Sequence, residues 1–170
     1  MKSKLRTRAV LGTAAVVAAV GTFTAGVGAA QAGEESSRRG KASEREIAAL
    51  FDQWNAALRT GDAKQVADRY APDAVLLPTA SPVIRTDRAG IVDYFEHFLQ
   101  KKPRGEKIRS VINVLDATSA VDAGLYRFYL TDPATGAAKQ IEARYSYEYE
   151  KRGGKWLIVN HHSSVLPAEG

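Results

Sequence analysis

The sequence predicts an α+β domain in which three helices come first and pack on one face of an antiparallel sheet. Apolar residues recur at helical spacing through the first half of the chain, behind residues typical of helix N-termini. The second half contains four segments rich in β-branched and aromatic residues, and consecutive strands joined by short turns usually pair side by side. The 170 residues include no cysteine, so the hydrophobic core alone has to hold the domain together.

The first helix is predicted to begin at a capping box, Ser43-Glu44-Arg45-Glu46. In this motif the Ser43 hydroxyl accepts from the backbone and the Glu46 side chain reaches back to it. The buried stripe behind it is Ile47, Leu50, Phe51, Trp54 and Leu58. The segment "RTGD" at 59–62 then combines a glycine stop with a new N-cap, so a second helix is expected over 63–70, before Ala71-Pro72.

A third helix is expected to start near Thr86 or Asp87 and to end in "KKPRG". Its buried stripe is Ile91, Tyr94, Phe95, Phe98 and Leu99. Between the second and third helices, residues 74–84 predict two short extended pieces around a proline-containing turn. Four long strands are expected at 108–115, 121–130, 140–150 and 156–165. We interpret Asp87, Asp93 and Asp116 as helix caps and turn residues.

The N-terminal segment predicts export. Lys2, Lys4, Arg6 and Arg8 precede an unbroken run of small and apolar residues at 9–20, and Ala30-Gln31-Ala32 is a small-x-small cleavage site. The run is shorter than the ~20 residues that span a bilayer, which favours a cleaved signal peptide at 1–32 over a retained membrane anchor. A polar flexible leader at 33–42 and one folded domain at 43–167 are expected to follow. The protein is therefore predicted to be secreted, to the medium or an extracytoplasmic space.

Loss of the signal would change the charge of the chain. The full sequence has 24 Lys and Arg against 19 Asp and Glu, a net charge of +5. Four of those basic residues and no acidic ones lie at 1–32, which leaves 20 against 19, or +1. This balance excludes a nucleic-acid binder, because such a protein needs a basic stripe. Metal sites built on thiolates are excluded because the sequence contains no cysteine. The predicted domain also contains no glycine-rich loop of the kind that binds nucleotide phosphates, so no cofactor is expected.

The last strand ends on adjacent histidines, His161 and His162, which face opposite sides of the sheet unless a bulge intervenes. We expect Gly153-Gly154 to form a two-residue hairpin turn, so that Arg152 pairs with Lys155. An uninterrupted ladder from that pair brings His162 opposite Tyr145 and Asn160 opposite Tyr147. A change of one residue in the register would invert every assignment.

The face that carries His162 and the tyrosines should then be concave and pack on the helices. The predicted pocket consists of Tyr145, Tyr147, Asn160, His162, Trp54 and Tyr126. The opposite face carries Arg144, His161 and Ser163, which are assigned to a subunit interface. For Arg144 the alternative is a pocket cation for an acidic ligand.

The segment "RYSYEYEKRGGKWLIVNHHSSVLP", from Arg144 to Pro167, resembles the bacterial relatives of the calcium/calmodulin-dependent protein kinase II association domain. The element order from Glu44 onward resembles the superfamily that contains them, the nuclear-transport-factor-2-like (SnoaL-like) proteins. The resemblance implies a strongly bent sheet that wraps the helices into a cone, and a homodimer or larger ring formed through the outer face. The kinase hub has an arginine nine places before the tryptophan, where this sequence has Tyr147, so its anion-binding pocket is not carried over.

Each candidate site residue also has a purely structural interpretation. His162 is either a general acid or base beside a tyrosine hydroxyl or a buried histidine that satisfies one. Ser163 and Ser164 lack the elbow turn of a nucleophile and more simply satisfy the strand end. Large aromatic residues that could wall a cavity are equally typical of a core; they are Trp54, Tyr70, Tyr126 and Phe128. No metal site is expected, because adjacent histidines diverge and His97 lies off the buried stripe of its helix.

Two functional classes remain open on the sequence. One is a secreted module that binds a small molecule or self-associates. The other is a cofactor-independent isomerase, cyclase or dehydratase with His162 as proton carrier and Tyr145 or Tyr147 as hydroxyl donor. The fold hosts both classes, so it does not choose between them.

Overall fold

The computed structural model describes residues 40–79 and 81–168. The signal peptide predicted at 1–32 lies outside the described residues, as does the predicted leader up to residue 39. Three helices are present within them, namely α1 (Glu44–Arg59), α2 (Ala63–Ala67) and α3 (Arg88–Phe98), and a 3-10 turn (Leu99–Lys101) extends the last. Five strands complete the domain: β1 (Tyr70–Leu77), β2 (Arg104–Val114), β3 (Ser119–Thr131), β4 (Ala138–Arg152) and β5 (Lys155–Val165). No helix in the described part of the chain is long and apolar enough to cross a membrane.

The helix starts lie where the cap signals predict them. The Ser43 hydroxyl accepts from the Glu46 backbone N–H, and the Asp62 and Asp87 carboxylates accept from the first backbone N–H groups of α2 and α3. The capping box is only half formed, however. The Glu46 carboxylate accepts instead from the Trp156 indole N–H at 2.9 Å, which ties the start of α1 to the start of β5.

The expected helix over 63–70 is too long, because the chain leaves α2 at Ala67 and enters the sheet at Tyr70. The Ile158 backbone N–H donates to the Arg69 carbonyl oxygen at 2.9 Å, so the strand partner replaces the next helical hydrogen bonds. Strand β1 then runs parallel to β5, with Leu76 beside His161. Pro72 is tolerated because β1 is an edge strand with an irregular register between Tyr70 and Val75.

The strand order is β1-β5-β4-β3-β2. Strands β2 to β5 form the predicted antiparallel meander, whereas the parallel edge strand β1 makes the sheet mixed, which corrects the expectation of a wholly antiparallel sheet. Gly153 and Gly154 have φ values of 58° and 81°, as a two-residue type I′ turn requires, and Arg152 pairs with Lys155 as predicted.

The helices cover one face of the sheet, here called the inner face. The Phe51 ring of α1 stacks on Tyr145 at a centroid distance of 6.5 Å, and Trp54 meets Tyr147 edge-on at 5.8 Å. Farther along the sheet, Phe98 of α3 meets Phe128 edge-on at 5.6 Å. This aromatic layer, between the helices and the inner face, forms the core of the domain. The opposite face of the sheet is here called the outer face.

Candidate functional site

A β-bulge in β5 decides which histidine lies inside the domain. The ladder runs without interruption from Arg152–Lys155 to Tyr149–Ile158, but the next pair is Glu148–Asn160. Val159 is therefore an extra residue, and Val159 and Asn160 together oppose Glu148. From that point onward every residue of β5 faces the side opposite to the one that an uninterrupted ladder would give it.

The predicted faces of the two histidines are consequently wrong. His161 lies on the inner face opposite Tyr147 and is 4% exposed, whereas His162 lies opposite Ser146 and is exposed. The same bulge moves Ser163 from the predicted interface to the inner face, where it is 7% exposed. Asn160 turns from the pocket to the outer side, beside Glu148.

The remaining predicted residues lie on strands and helices that the bulge does not affect. Trp54 and Tyr126 line a cavity between α1, α3 and the sheet. Tyr145 and Tyr147 are buried on the inner face but lie outside the wall of that cavity. Arg144 is exposed on the outer face, opposite Leu125.

The cavity has a volume of about 70 Å³ and a mostly apolar wall. Its apolar side chains include Trp54, Leu76, Phe95, Phe98, Phe128 and Leu130. The polar side chains in the wall are those of Thr79, Lys101, His161 and Ser163, together with the phenols of Tyr94 and Tyr126. None of the described residues that line the cavity carries a carboxylate.

One hydrogen-bond chain leads from α1 to the His161 ring. The Trp54 indole N–H donates to the Tyr70 phenol oxygen at 3.1 Å, and that oxygen lies 2.8 Å from His161 Nδ1. Burial raises the pKa of Tyr70 well above its usual value, so the phenol keeps its proton. Because Trp54 can only donate, the Tyr70 O–H is satisfied by donating to His161 Nδ1.

This chain assigns the tautomer of His161. With Nδ1 as acceptor, the neutral imidazole carries its proton on Nε2. Nε2 has no hydrogen-bond partner among the described residues. Burial, aided by the neighbouring His162, lowers the pKa of His161 to about 3, so the ring is neutral at physiological pH.

A second hydrogen-bond chain runs along the opposite part of the cavity wall. The Tyr126 phenol donates to Ser163 Oγ at 2.5 Å, and Ser163 Oγ in turn contacts Thr79 Oγ1. Burial raises the pKa of Tyr126, which keeps this phenol protonated and donating. The three hydroxyl groups carry three hydrogens for two contacts, so one hydrogen, on Ser163 or on Thr79, remains available at the cavity wall.

A buried carboxylate on the inner face, that of Asp122, was not anticipated from the sequence. Asp122 of β3 is 0% exposed and accepts from Lys107 Nζ at 2.5 Å, Ser110 Oγ at 2.6 Å and the Tyr145 phenol at 3.0 Å. Its signal in the sequence is an acidic residue between Val121 and Ala123, at an inward position of an alternating strand. All three of its partners are supplied by the domain itself, so this carboxylate has a structural explanation.

The site has donors but no proton acceptor of ordinary basicity. The His161 lone pair on Nδ1 is occupied by Tyr70, and its other nitrogen carries a proton. The predicted proton carrier, His162, is exposed and outside the cavity wall. In the described residues no group of three or more His, Asp or Glu side chains is placed to hold a metal ion. The donors of the described wall can form hydrogen bonds to a bound molecule.

Comparison with known proteins found a family model and a solved structure that match most of the chain. The family model of the calcium/calmodulin dependent protein kinase II association domain matches residues 43–167. A protein from Xanthomonas campestris, described as such an association domain, is 55% identical; the match covers 75% of this chain and 91% of that one, with a TM-score of 0.73. The search of curated proteins gave no match.

Two more distant structures share the fold. A nuclear transport factor 2-like protein from Salmonella enterica is 16% identical over 74% of this chain and 92% of its own, with a TM-score of 0.64. A ketosteroid isomerase-like protein from Erwinia carotovora is 17% identical over 71% and 94%, with a TM-score of 0.60. These likenesses confirm the predicted α+β fold.

Proposed function

Since the chain belongs to the calcium/calmodulin-dependent protein kinase II association domain family, we propose that it is an exported, self-associating domain whose cavity binds a small molecule without catalysing proton transfer. The observation that carries the binding function is an apolar cavity with a buried, neutral imidazole in its wall, one nitrogen of which has no partner among the described residues.

The size of the cavity limits the ligand. A volume of about 70 Å³ exceeds the ~15 Å³ that one water needs and is well below the ~300 Å³ at which drug-sized pockets begin. The ligand is therefore a molecule of few non-hydrogen atoms. Aromatic and aliphatic side chains supply most of the contact area, and a few polar groups set its orientation.

The enzyme hypothesis with His162 as proton carrier loses its support, because that side chain is exposed on the outer face. His161 does not replace it. Its pKa of about 3 is far from the near-neutral value that suits a general base, and no carboxylate in the wall could take over.

Self-association is proposed through the outer face of the sheet. Val111 is 49% exposed and lies in a row with Ala123, Ser146 and His162 across four strands. The neighbouring row pairs the half-buried Leu125 with arginines on both sides, and arginine is enriched at subunit interfaces, whose centres are apolar. The family supports a homodimer or a larger ring of this kind.

Light scattering on the purified protein tests the assembly. We expect a dimer or larger oligomer, and Val111→Asp should shift it towards monomer because the new charge would be buried without a partner. Val83→Asp is the matched control, since Val83 is 53% exposed but lies in the loop before α3. A monomeric wild type would contradict the proposal, as would equal effects of the two substitutions.

Xenon is a suitable probe for the cavity because it enters apolar cavities without needing hydrogen bonds. Under xenon pressure, the amide and indole signals around Trp54 and Phe128 should shift in an NMR spectrum. Ala143 is buried and lines the cavity, so Ala143→Leu should fill it and abolish the shifts in a protein that is still folded. Absence of shifts in the wild type would refute a binding cavity.

Export is tested by expressing the whole chain in a bacterial host and determining the N-terminus of the protein recovered outside the cytoplasm. Cleavage at the small-x-small site should give a chain that begins at Gly33. Ala32→Arg should block cleavage. A wild-type chain that keeps Met1 would contradict the signal peptide.

A further inference from the structure

We propose that the ligand of this cavity is a small, otherwise apolar molecule with a neutral hydrogen-bond acceptor, such as the carbonyl oxygen of a ketone or aldehyde, and that His161 Nε2–H recognises it. The inference rests on the proposed binding function and adds the chemical class of the ligand.

The surroundings of the His161 ring leave one of its nitrogens without a partner among the described residues. The His161 ring lines the cavity, and its Nδ1 is turned to Tyr70, which does not line it. Tyr147 stacks on the ring at a centroid distance of 4.1 Å, and Trp54 meets it at an interplanar angle of 90°. The ring is thus held in place from three directions, and its Nε2 is buried without a partner among the described residues. Because the ring lines the cavity, we infer that this nitrogen faces it.

Both hydrogen-bond chains lead to the cavity wall. One passes from Trp54 through Tyr70 to His161, and the other from Tyr126 through Ser163 to Thr79. The first chain begins at the Trp54 indole, which can only donate, and the second begins at the Tyr126 phenol, which stays protonated because burial raises its pKa. Each chain therefore has one hydrogen left to donate at the cavity wall. Lys101, which is half-buried in the wall, adds a third donor and no acceptor.

A wall of donors selects for an acceptor. A buried N–H without a partner is costly, and a ligand oxygen that accepts from it removes that cost, whereas a hydrocarbon of the same size leaves it in place. At the His161 ring a neutral acceptor is favoured over an anion because the imidazole is uncharged and most of the wall is apolar. Among the described residues of the wall, only the half-buried Lys101 ammonium could compensate a negative charge.

The experiment compares two ring compounds of nearly equal size, cyclopentanone and cyclopentane, by NMR titration of the purified protein at pH 7. Cyclopentanone should bind about tenfold more tightly, which corresponds to about 1.4 kcal/mol. The imidazole ¹⁵N signals should show His161 as the Nε2–H tautomer before any ligand is added. Only the ketone should move that N–H signal.

Variants assign the preference to one residue. His161→Phe should lower the affinity for cyclopentanone to that for cyclopentane, and His162→Gln, at the exposed neighbour, should change neither. If His161→Phe does not fold, the tautomer and the N–H shift in the wild type still decide the matter.

The outcomes separate the two proposals. Equal affinities for the two compounds would overturn the acceptor inference and leave the binding function standing. An Nδ1–H tautomer would overturn it as well. So would an Nε2–H signal that is shifted by the Trp54 ring before ligand is added and that does not move when the ketone is added. If neither compound binds and xenon does not enter, the proposed function itself fails.

Discussion

Acidification from pH 7 to pH 5 should destabilise the domain through the imidazole of His161. Its pKa is lowered to about 3, first by burial and then by the neighbouring His162. In the unfolded chain the ring regains its ordinary pKa of about 6.5. Between these two values the unfolded state binds one proton more than the folded state, so this contribution to stability is complete above pH 6.5 and falls as the pH drops towards 3.

The magnitude follows from the distance between the pH and the unfolded pKa. Each pH unit within the window changes the free energy of unfolding by at most about 1.4 kcal/mol for one proton. At pH 5, about 1.5 units below the unfolded value, the loss should be about 2 kcal/mol. Against a typical total of about 5–15 kcal/mol, that loss is readily measured.

Urea unfolding at pH 7, 6 and 5 is the assay. The wild type should lose stability over this range, and His161→Phe should flatten the profile because it removes the titrating ring. His162→Gln and His97→Gln serve as controls that should keep the slope. Carboxylates with lowered pKa values, such as Asp116 at about 2, lose their contribution only below about pH 4. A His161→Phe profile as steep as that of the wild type would refute the reasoning.

Three further predictions concern the packing around the site. Gly124→Ala should destabilise the domain by about 3 kcal/mol in urea unfolding, because a Cβ there would lie 1.9 Å from the Arg109 carbonyl oxygen. Asp122→Ala should cost about 3 kcal/mol by leaving the half-buried Lys107 ammonium unpaired, whereas combining Asp122→Leu with Lys107→Met should recover most of that loss in the same assay. Deletion of Val159 should remove the bulge yet keep the later pairs of β5, so the slope between pH 7 and 5 should survive; its disappearance would show that the extra residue is elsewhere.

The parts of the fold that were predicted correctly depend on local signals. Caps at Ser43, Asp62 and Asp87 locate the helix starts because a side chain there bonds to a backbone group within three residues. The four strands of the meander follow from their β-branched and aromatic composition, and Gly153-Gly154 specifies its own turn through two positive φ values. None of these features needs a partner from a distant part of the chain.

The start of edge strand β1 has no such signal, whereas its end from Ala74 lies in the segment predicted to be extended. Residues up to Tyr70 continue a helical pattern, and only the parallel pairing with β5, about ninety positions later, draws them into the sheet. The same holds for Glu46, whose carboxylate accepts from Trp156 rather than closing its own cap. In both cases a distant partner overrides the local preference.

The wrong face for the histidines and the wrong end for the second helix have a common origin in β5. The inward residues of this strand are Ile158, His161 and Ser163, a spacing of three and then two, which only a bulged strand can satisfy. Aliphatic residues on both sides of the bulge hide that spacing in the sequence, since Leu157 and Val159 would be equally acceptable inside. The two histidines differ in that only the one on the inner face has a hydrogen-bond partner there, Tyr70. Tyr70, brought there by β1, bonds to Nδ1 of His161 and thereby leaves Nε2–H as the donor. The candidate site therefore depends on the non-local pairing that local patterns do not encode.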